Sequence, residues 1–278
     1  MSFYYTKEKE VVQLSNDSET KTILVPGFYE TYTEDMMFGT SMSMKLADPP
    51  LHPKTVHYLV EEYVNVNNIK SRFSEETDSI FKALNMNKQF NCLFDGKQGC
   101  GKTAIIYAIA QELHDTLNAI VFTVDCEEAF IWCTSWVKKA KKEYDFLSVI
   151  IFDECEDLFR QNENTIKPIL DGNQAVPNNI YLFATNYIDR IPDTILKRPS
   201  RIHLSVTVDV IENEGLLSNI LTGMNSELTE EVQLTVGEIE ELVLTQKGYT
   251  IDEIKTGFIN KVLDINLKRA CGIKELIS

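Results

Sequence analysis

The chain has 278 residues, a formal net charge of −15, and 44% hydrophobic and 10% aromatic side chains. This is the composition of a folded globular protein, large enough to bury a core without disulfides or a structural metal, and it excludes intrinsic disorder for most of the length. A charge this negative opposes non-specific binding to phosphate backbones, so nucleic acid is disfavoured unless a local basic groove interrupts the acidic surface.

In chain order, Met1–Glu10 mixes Lys and Glu with no apolar run, so no signal peptide is expected, and no later stretch approaches the ~20 apolar residues of a membrane span. A cytoplasmic location is the expectation. Residues 1–51 are polar and weakly periodic, contain the Met-rich run Asp35–Met44 and carry no motif. They are expected to be an N-terminal segment of unclear function. The methionines suit either an adaptable partner surface or gap-filling against a main domain. His52–Asn65 and Ser74–Asn85 place apolar residues such as Val56, Leu59, Val60 and Tyr63 at helical spacing, which predicts two helices before the first core strand.

Short apolar runs then alternate with helical patterns. Asn91–Phe94, Ala119–Val124, Leu147–Phe152, Ile180–Ala184 and Ile202–Val208 are the expected strands, several of them continuously apolar, as in a parallel sheet covered on both faces. After Asp209 the pattern becomes helical and acidic. Thr235 with Glu238 and Thr250 with Glu253 fit capping boxes, and Ile251, Ile254, Phe258, Val262 and Ile265 mark one apolar helix face. The expected class is α/β: a P-loop-type parallel sheet flanked by helices over 52–208, followed by a small all-α lid domain over 209–278.

The strongest chemical signal is Gly96-Lys97-Gln98-Gly99-Cys100-Gly101-Lys102-Thr103, between the apolar Cys92-Leu93-Phe94 and the helix-like Ala104–Ala110. This GxxxxGK[ST] pattern in a strand-to-helix context is a phosphate loop, whose backbone N–H groups and helix dipole favour an anion. Gly96, Gly99, Cys100, Gly101, Lys102, Thr103 and Ala104 are therefore candidate ATP-binding residues, with Lys102 reaching the β/γ-phosphates and Thr103 on Mg²⁺. Val149–Glu154 is an apolar strand ending in two carboxylates. Asp153 suits the Mg²⁺ shell and Glu154 the attacking water.

Asn179–Asn186 is a further apolar strand, ending in Asn186, which could position that water. In Arg190–Arg201, Arg198 and Arg201 flank a Pro-Ser turn. They are candidates for a γ-phosphate clamp offered to a neighbouring subunit. The six cysteines form no C-x-x-C pair, and His52, His57, His114 and His203 are dispersed, so neither a zinc set nor a nucleophile–histidine pair is expected.

This order of motifs resembles the AAA subgroup of the AAA+ ATPases over roughly residues 52–270. Thr185–Arg201 is similar to that subgroup's second region of homology, and Gly248–Ile254 to the segment before its long lid helix. The resemblance implies Asn186 as sensor 1 and Arg198 with Arg201 as fingers acting in trans. It also implies a homo-oligomeric, typically hexameric ring that pulls on a protein substrate through aromatic pore loops. Phe130-Ile131-Trp132 stands about where such a loop is expected, and a core helix contact explains Phe130 and Trp132 equally well. Where many other AAA+ proteins carry a lid arginine this sequence has Ile251-Asp252-Glu253, a departure that weakens a clamp-loader or replication-initiator reading. The expected activity is ATP hydrolysis that remodels or moves a protein substrate or an adaptor-bound client. The alternatives are a nucleic-acid-linked loader or remodeller, and an ATP-dependent scaffold with little hydrolysis.

Overall fold

Parallel strands without tight turns need long crossovers and two covered faces, and the sequence between residues 89 and 207 supplies both. The computed structural model describes residues 3–5, 22–24, 26–36, 39–49, 53, 55–74, 89–142 and 144–270. The strands are β1 (Phe3–Tyr5), β2 (Thr22–Leu24), β3 (Phe28–Met36), β4 (Gly39–Ala47), β5 (Gln89–Asp95), β6 (Ile120–Val124), β7 (Ser148–Phe152), β8 (Asn179–Thr185) and β9 (Leu204–Thr207). The helices are α1 (Thr55–Tyr63), α2 (Val66–Phe73), α3 (Lys102–Leu117), α4 (Glu127–Ala140), α5 (Glu156–Gln161), α6 (Glu163–Asp171), α7 (Asp193–Leu196), α8 (Glu214–Ser226), α9 (Val236–Gln246) and α10 (Ile251–Ala270).

Seven strands form one sheet in the order β4-β3-β6-β7-β8-β5-β9, parallel throughout except for the β3–β4 hairpin. β7 and β8 are buried along their whole length. Their alternate residues serve two cores. Val149, Ile151, Ile180 and Leu182 face α1 and α3, where Leu59, Ile105 and Ile109 pack. Ile150, Phe152, Tyr181 and Phe183 face the other layer with Phe130, Val137 and Phe159. A continuously apolar strand is what this two-sided burial demands.

One expectation changes, and another lies largely outside the described residues. The sheet does not begin after residue 51: β3 pairs in parallel with β6 through Phe28↔Val121, and β4 closes that edge. Phe28 and Tyr29 are buried, so residues 28–47 contribute two strands to the main sheet, on the N-terminal side of the expected 51/52 boundary. Their alternation of polar residues reflects an edge hairpin rather than an unstructured segment. Second, α2 forms over Val66–Phe73, where Asn65 accepts the Asn67 N–H at 3.1 Å as its cap; the helix expected over 74–85 falls, beyond Ser74, outside the described residues.

The C-terminal lid helices α8, α9 and α10 follow β9. Leu217, Ile220 and Leu221 of α8 share a core with Val56 and Leu59 of α1, so the lid packs directly on the helical layer that covers the sheet. Both capping boxes form: Thr235 and Glu238 at α9, and Thr250 and Glu253 at α10, where the Glu253 carboxylate accepts the Thr250 N–H at 2.8 Å. Ile251, Ile254 and Phe258 are buried, with Val262 and Ile265 packed beside them.

Candidate functional site

The phosphate loop runs from the end of β5 into α3. Gly96 has φ +146°, and a Cβ there would lie 1.9 Å from the Val208 carbonyl oxygen, so only glycine lets the loop pass the backbone that follows β9. The N-cap Gly101 offers no side-chain bond to the first turn of α3. Those N–H groups are left for an anion. Lys102, the first residue of α3, is buried, and its Nζ donates to the carbonyls of Gly96 (2.7 Å) and Lys97 (2.8 Å) and to Asn186 Oδ1 (2.8 Å). Burial pulls its pKa below the usual lysine value, against the pull of nearby acids.

β7 delivers the carboxylates. Thr103 Oγ1 donates to Asp153 Oδ2 at 2.6 Å, and Asp153 Oδ1 accepts the Glu154 N–H at 2.9 Å. Glu154 has φ +53°, a backbone conformation that costs a long side chain roughly 1–3 kcal/mol and aims it away from the strand axis. The next residue is tied back, Cys155 N–H to Ala184 O at 2.9 Å. Because β8 lies between β5 and β7, Asn186 emerges between the phosphate loop and the acidic pair. Its amide nitrogen reaches Glu154 Oε1 at 3.5 Å while its oxygen holds Lys102. Behind it, Thr185 Oγ1 donates to the buried Glu156 (2.8 Å) and accepts the Tyr187 N–H (3.0 Å).

One cavity of about 310 Å³ is lined by Gly99, Gly101, Lys102, Thr103, Ala104, Asp153, Glu154 and Asn186 from the expected set, and by Gln98, Asp252 and Lys255. Cys100 packs into the core instead, and burial pushes its thiol up. The lid residues were not legible as site residues. The capping box at Thr250 marked a helix start, and the fold aims that start at the phosphate loop: the Asp252 N–H donates to Gly99 O at 3.1 Å.

Two hard oxygen donors converging at Thr103 and Asp153 fit Mg²⁺, which takes few protein ligands and completes its shell from phosphate and water. Among the described residues, no group of three or more His, Cys, Asp or Glu side chains is arranged to hold a metal by itself.

The arginines lie elsewhere. Arg198 is exposed, whereas Arg201 is 7% exposed; both line a separate depression with Lys167, Asp193, Thr194 and Lys197. Phe130 is fully buried on α4 and meets the rings of Phe152, Tyr181 and Phe183 at 5.8, 5.5 and 5.9 Å. The pore-loop expectation is thereby corrected for Phe130, which is a core residue; Trp132 is half-buried on the same helix and packs against the same core.

Residues 92–210 match the model of the ATPase family associated with various cellular activities (AAA). Over that span the chain carries an AAA-type ATPase domain. It is 22% identical to the chromosomal replication initiator protein DnaA of Borreliella burgdorferi, over 90% of this chain and 59% of that protein. It is 26% identical to the vesicular-fusion protein SEC18 of Candida albicans, over 64% of this chain and 25% of that one. It is 27% identical to human ATPase family AAA domain-containing protein 2, over 44% of this chain and 10% of that one. The chain thus spans less than two thirds of each of these relatives. No described helix of the chain is long and apolar enough to cross a membrane.

Proposed function

We propose that the chain binds ATP–Mg²⁺ in the cavity around Lys102 and hydrolyses it to ADP and phosphate as a subunit of a cytoplasmic homo-oligomeric ring, hexameric by family resemblance, that remodels or moves a protein substrate. The observation that carries this reading is the convergence of Lys102, Thr103, Asp153, Glu154 and Asn186 on one cavity whose described lining contains no arginine, while Arg198 stands exposed in a different depression. A site with the complete set for holding phosphate and water, but without its guanidinium, is completed by a second copy.

The first-turn N–H groups of α3 and the Lys102 ammonium hold the β- and γ-phosphates. Thr103 and Asp153 would hold Mg²⁺, which when bound neutralises phosphate charge. The Glu154 carboxylate orients a water in line with the γ-phosphorus and accepts its proton as the oxygen attacks and the bond to the bridging oxygen breaks. The Asn186 amide, within reach of Glu154, fixes that carboxylate's rotamer. Arg198 of the neighbouring copy meets the charge that develops on the transferring group.

The test is Glu154→Gln, an isostere that cannot accept the proton. Nucleotide affinity is expected to persist while turnover falls about 10²–10⁴-fold, with the wild-type specific activity rising with protein concentration as rings assemble. Normal turnover in Glu154→Gln would overturn the assignment of the base. Similarity to the replication initiator over 90% of the chain favours a second reading, a nucleic-acid-linked remodeller. A strongly salt-dependent affinity for DNA would favour it over the protein-directed one.

A further inference from the structure

The two arginines that the sequence treats alike are held in opposite ways. Arg201 is buried, its Nε donating to Asp171 Oδ2 at 3.0 Å and its Nη1 to the Thr194 carbonyl at 2.7 Å. The same Asp171 oxygen accepts the Ser200 hydroxyl at 3.0 Å, and one Arg198 nitrogen lies 3.6 Å from it. The Arg198 side chain is 61% exposed. Asp171 is the last residue of α6, where the helix dipole disfavours a carboxylate, so its charge at that point is offset by these cations.

The anchor is rooted in the phosphate-loop strand. From β5, Gln89 Nε2 donates to the Leu170 carbonyl at 2.8 Å, and Asn91 Nδ2 donates to the Leu170 carbonyl at 3.2 Å and to the Arg201 carbonyl at 2.6 Å.

We propose that Asp171 is the positioning residue of the arginine loop: its carboxylate clamps Ser200 and Arg201 so that Arg201 serves as an internal strut and Arg198 alone is presented to a neighbouring copy's nucleotide. This rests on the trans-arginine reading above. It gives opposite signs to one substitution. If Arg201 is a strut, Asp171→Asn keeps the shape but loses the charge-assisted bonds, the loop loosens, and activity falls. If Arg201 is instead a finger that Asp171 restrains, the same change frees it and activity is unchanged or rises.

The experiment compares wild type, Arg198→Ala, Asp171→Asn, Arg201→Gln, Arg201→Lys and the Asp171→Asn/Arg201→Gln double variant. It measures kcat and KM for ATP at ring-forming concentration, affinity for a fluorescent ATP analogue, and hydrogen–deuterium exchange across residues 193–203. The expected result is a roughly tenfold fall in kcat for Asp171→Asn with KM and analogue affinity unchanged, and faster exchange in 193–203. The double variant should be no worse than Arg201→Gln, with partial rescue by Arg201→Lys. Unchanged or increased kcat in Asp171→Asn, or additive losses in the double variant, would overturn the proposal. If wild type shows no Arg198-dependent turnover, the trans-arginine reading itself has failed, and the clamp is judged on exchange alone: unprotected 193–203 amides in wild type, or unchanged exchange in Asp171→Asn or in Arg201→Gln, overturn it.

Discussion

The nucleotide edge and the arginine loop are held by different forces. Asp153, Glu154 and Asn186 follow strands whose side chains are buried on both faces, so their positions are set by apolar packing and the β-ladder. Arg198 and Arg201 follow no such strand; between the buried Ile195 and Ile202, their loop is set by directional polar ties to Asp171, Thr194 and Asn91. The first region is sensitive to lost volume in the core beneath it, the second to lost charge at constant volume. Under the proposed function that division lets the polar loop be tuned without disturbing the core beneath the nucleotide edge.

The largest effect that sharpens this contrast is at Arg198. Its removal is expected to lower turnover about 10³–10⁵-fold, about 4–7 kcal/mol of barrier, with nucleotide affinity intact. Mixing Arg198→Ala with Lys102→Ala subunits should restore activity, since the first retains a working cavity and the second a working arginine. A mixture no more active than its parts would break the division between copies.

Next comes the core under the nucleotide edge. Phe130→Ala removes a fully buried ring from beneath β7 and β8, with an expected loss of about 3–5 kcal/mol in urea unfolding. Asp171→Asn should cost less, because its amide oxygen still accepts from Arg201 and Ser200, although the buried guanidinium loses its charged partner. A Phe130 variant of near wild-type stability would mean that packing does not hold the edge.

The same contrast explains what the sequence made legible. Val149–Phe152 and Ile180–Ala184 announce themselves as continuous apolar runs, and the polar residues that end them, Asp153, Glu154 and Asn186, inherit positions from the strands. The phosphate loop is legible for the same reason, being spelled out in consecutive residues. The lid residues Asp252 and Lys255 reach the cavity because the start of α10 packs against the phosphate loop, and Asp171 reaches Arg201 across 30 residues of chain. Neither contact has a local pattern. The β3–β4 hairpin was illegible because an edge pair needs only one covered face, and its alternating polar residues resemble an irregular segment. Phe130 could not be decided from spacing, since an aromatic after a strand serves a core or a loop equally; the interior of α4 decided it.

The smallest effect tests the polar side of the contrast through pH. His203, beside Arg201, stacks on Phe90 at 5.5 Å, and its Nδ1 accepts the Asn91 N–H at 3.0 Å. Burial, helped by the Arg72 guanidinium that sits 4.8 Å from the Phe90 ring centre, pushes its pKa down to about 4. An unfolded histidine titrates near 6.5. Between those values the unfolded chain takes a proton that the folded one refuses, so this contribution is complete above about pH 6.5 and is lost as pH falls toward 4. The ring is only half-buried, and solvent screening reduces the loss to about 1–2 kcal/mol. His203→Asn keeps an acceptor for Asn91 without titrating. Urea unfolding at pH 7, 6 and 5 should show wild type losing stability faster than the variant, because carboxylate titration elsewhere is common to both. Parallel curves would mean that His203 is protonated at no cost, and that the ties around Asn91 tolerate a charge that their geometry argues against.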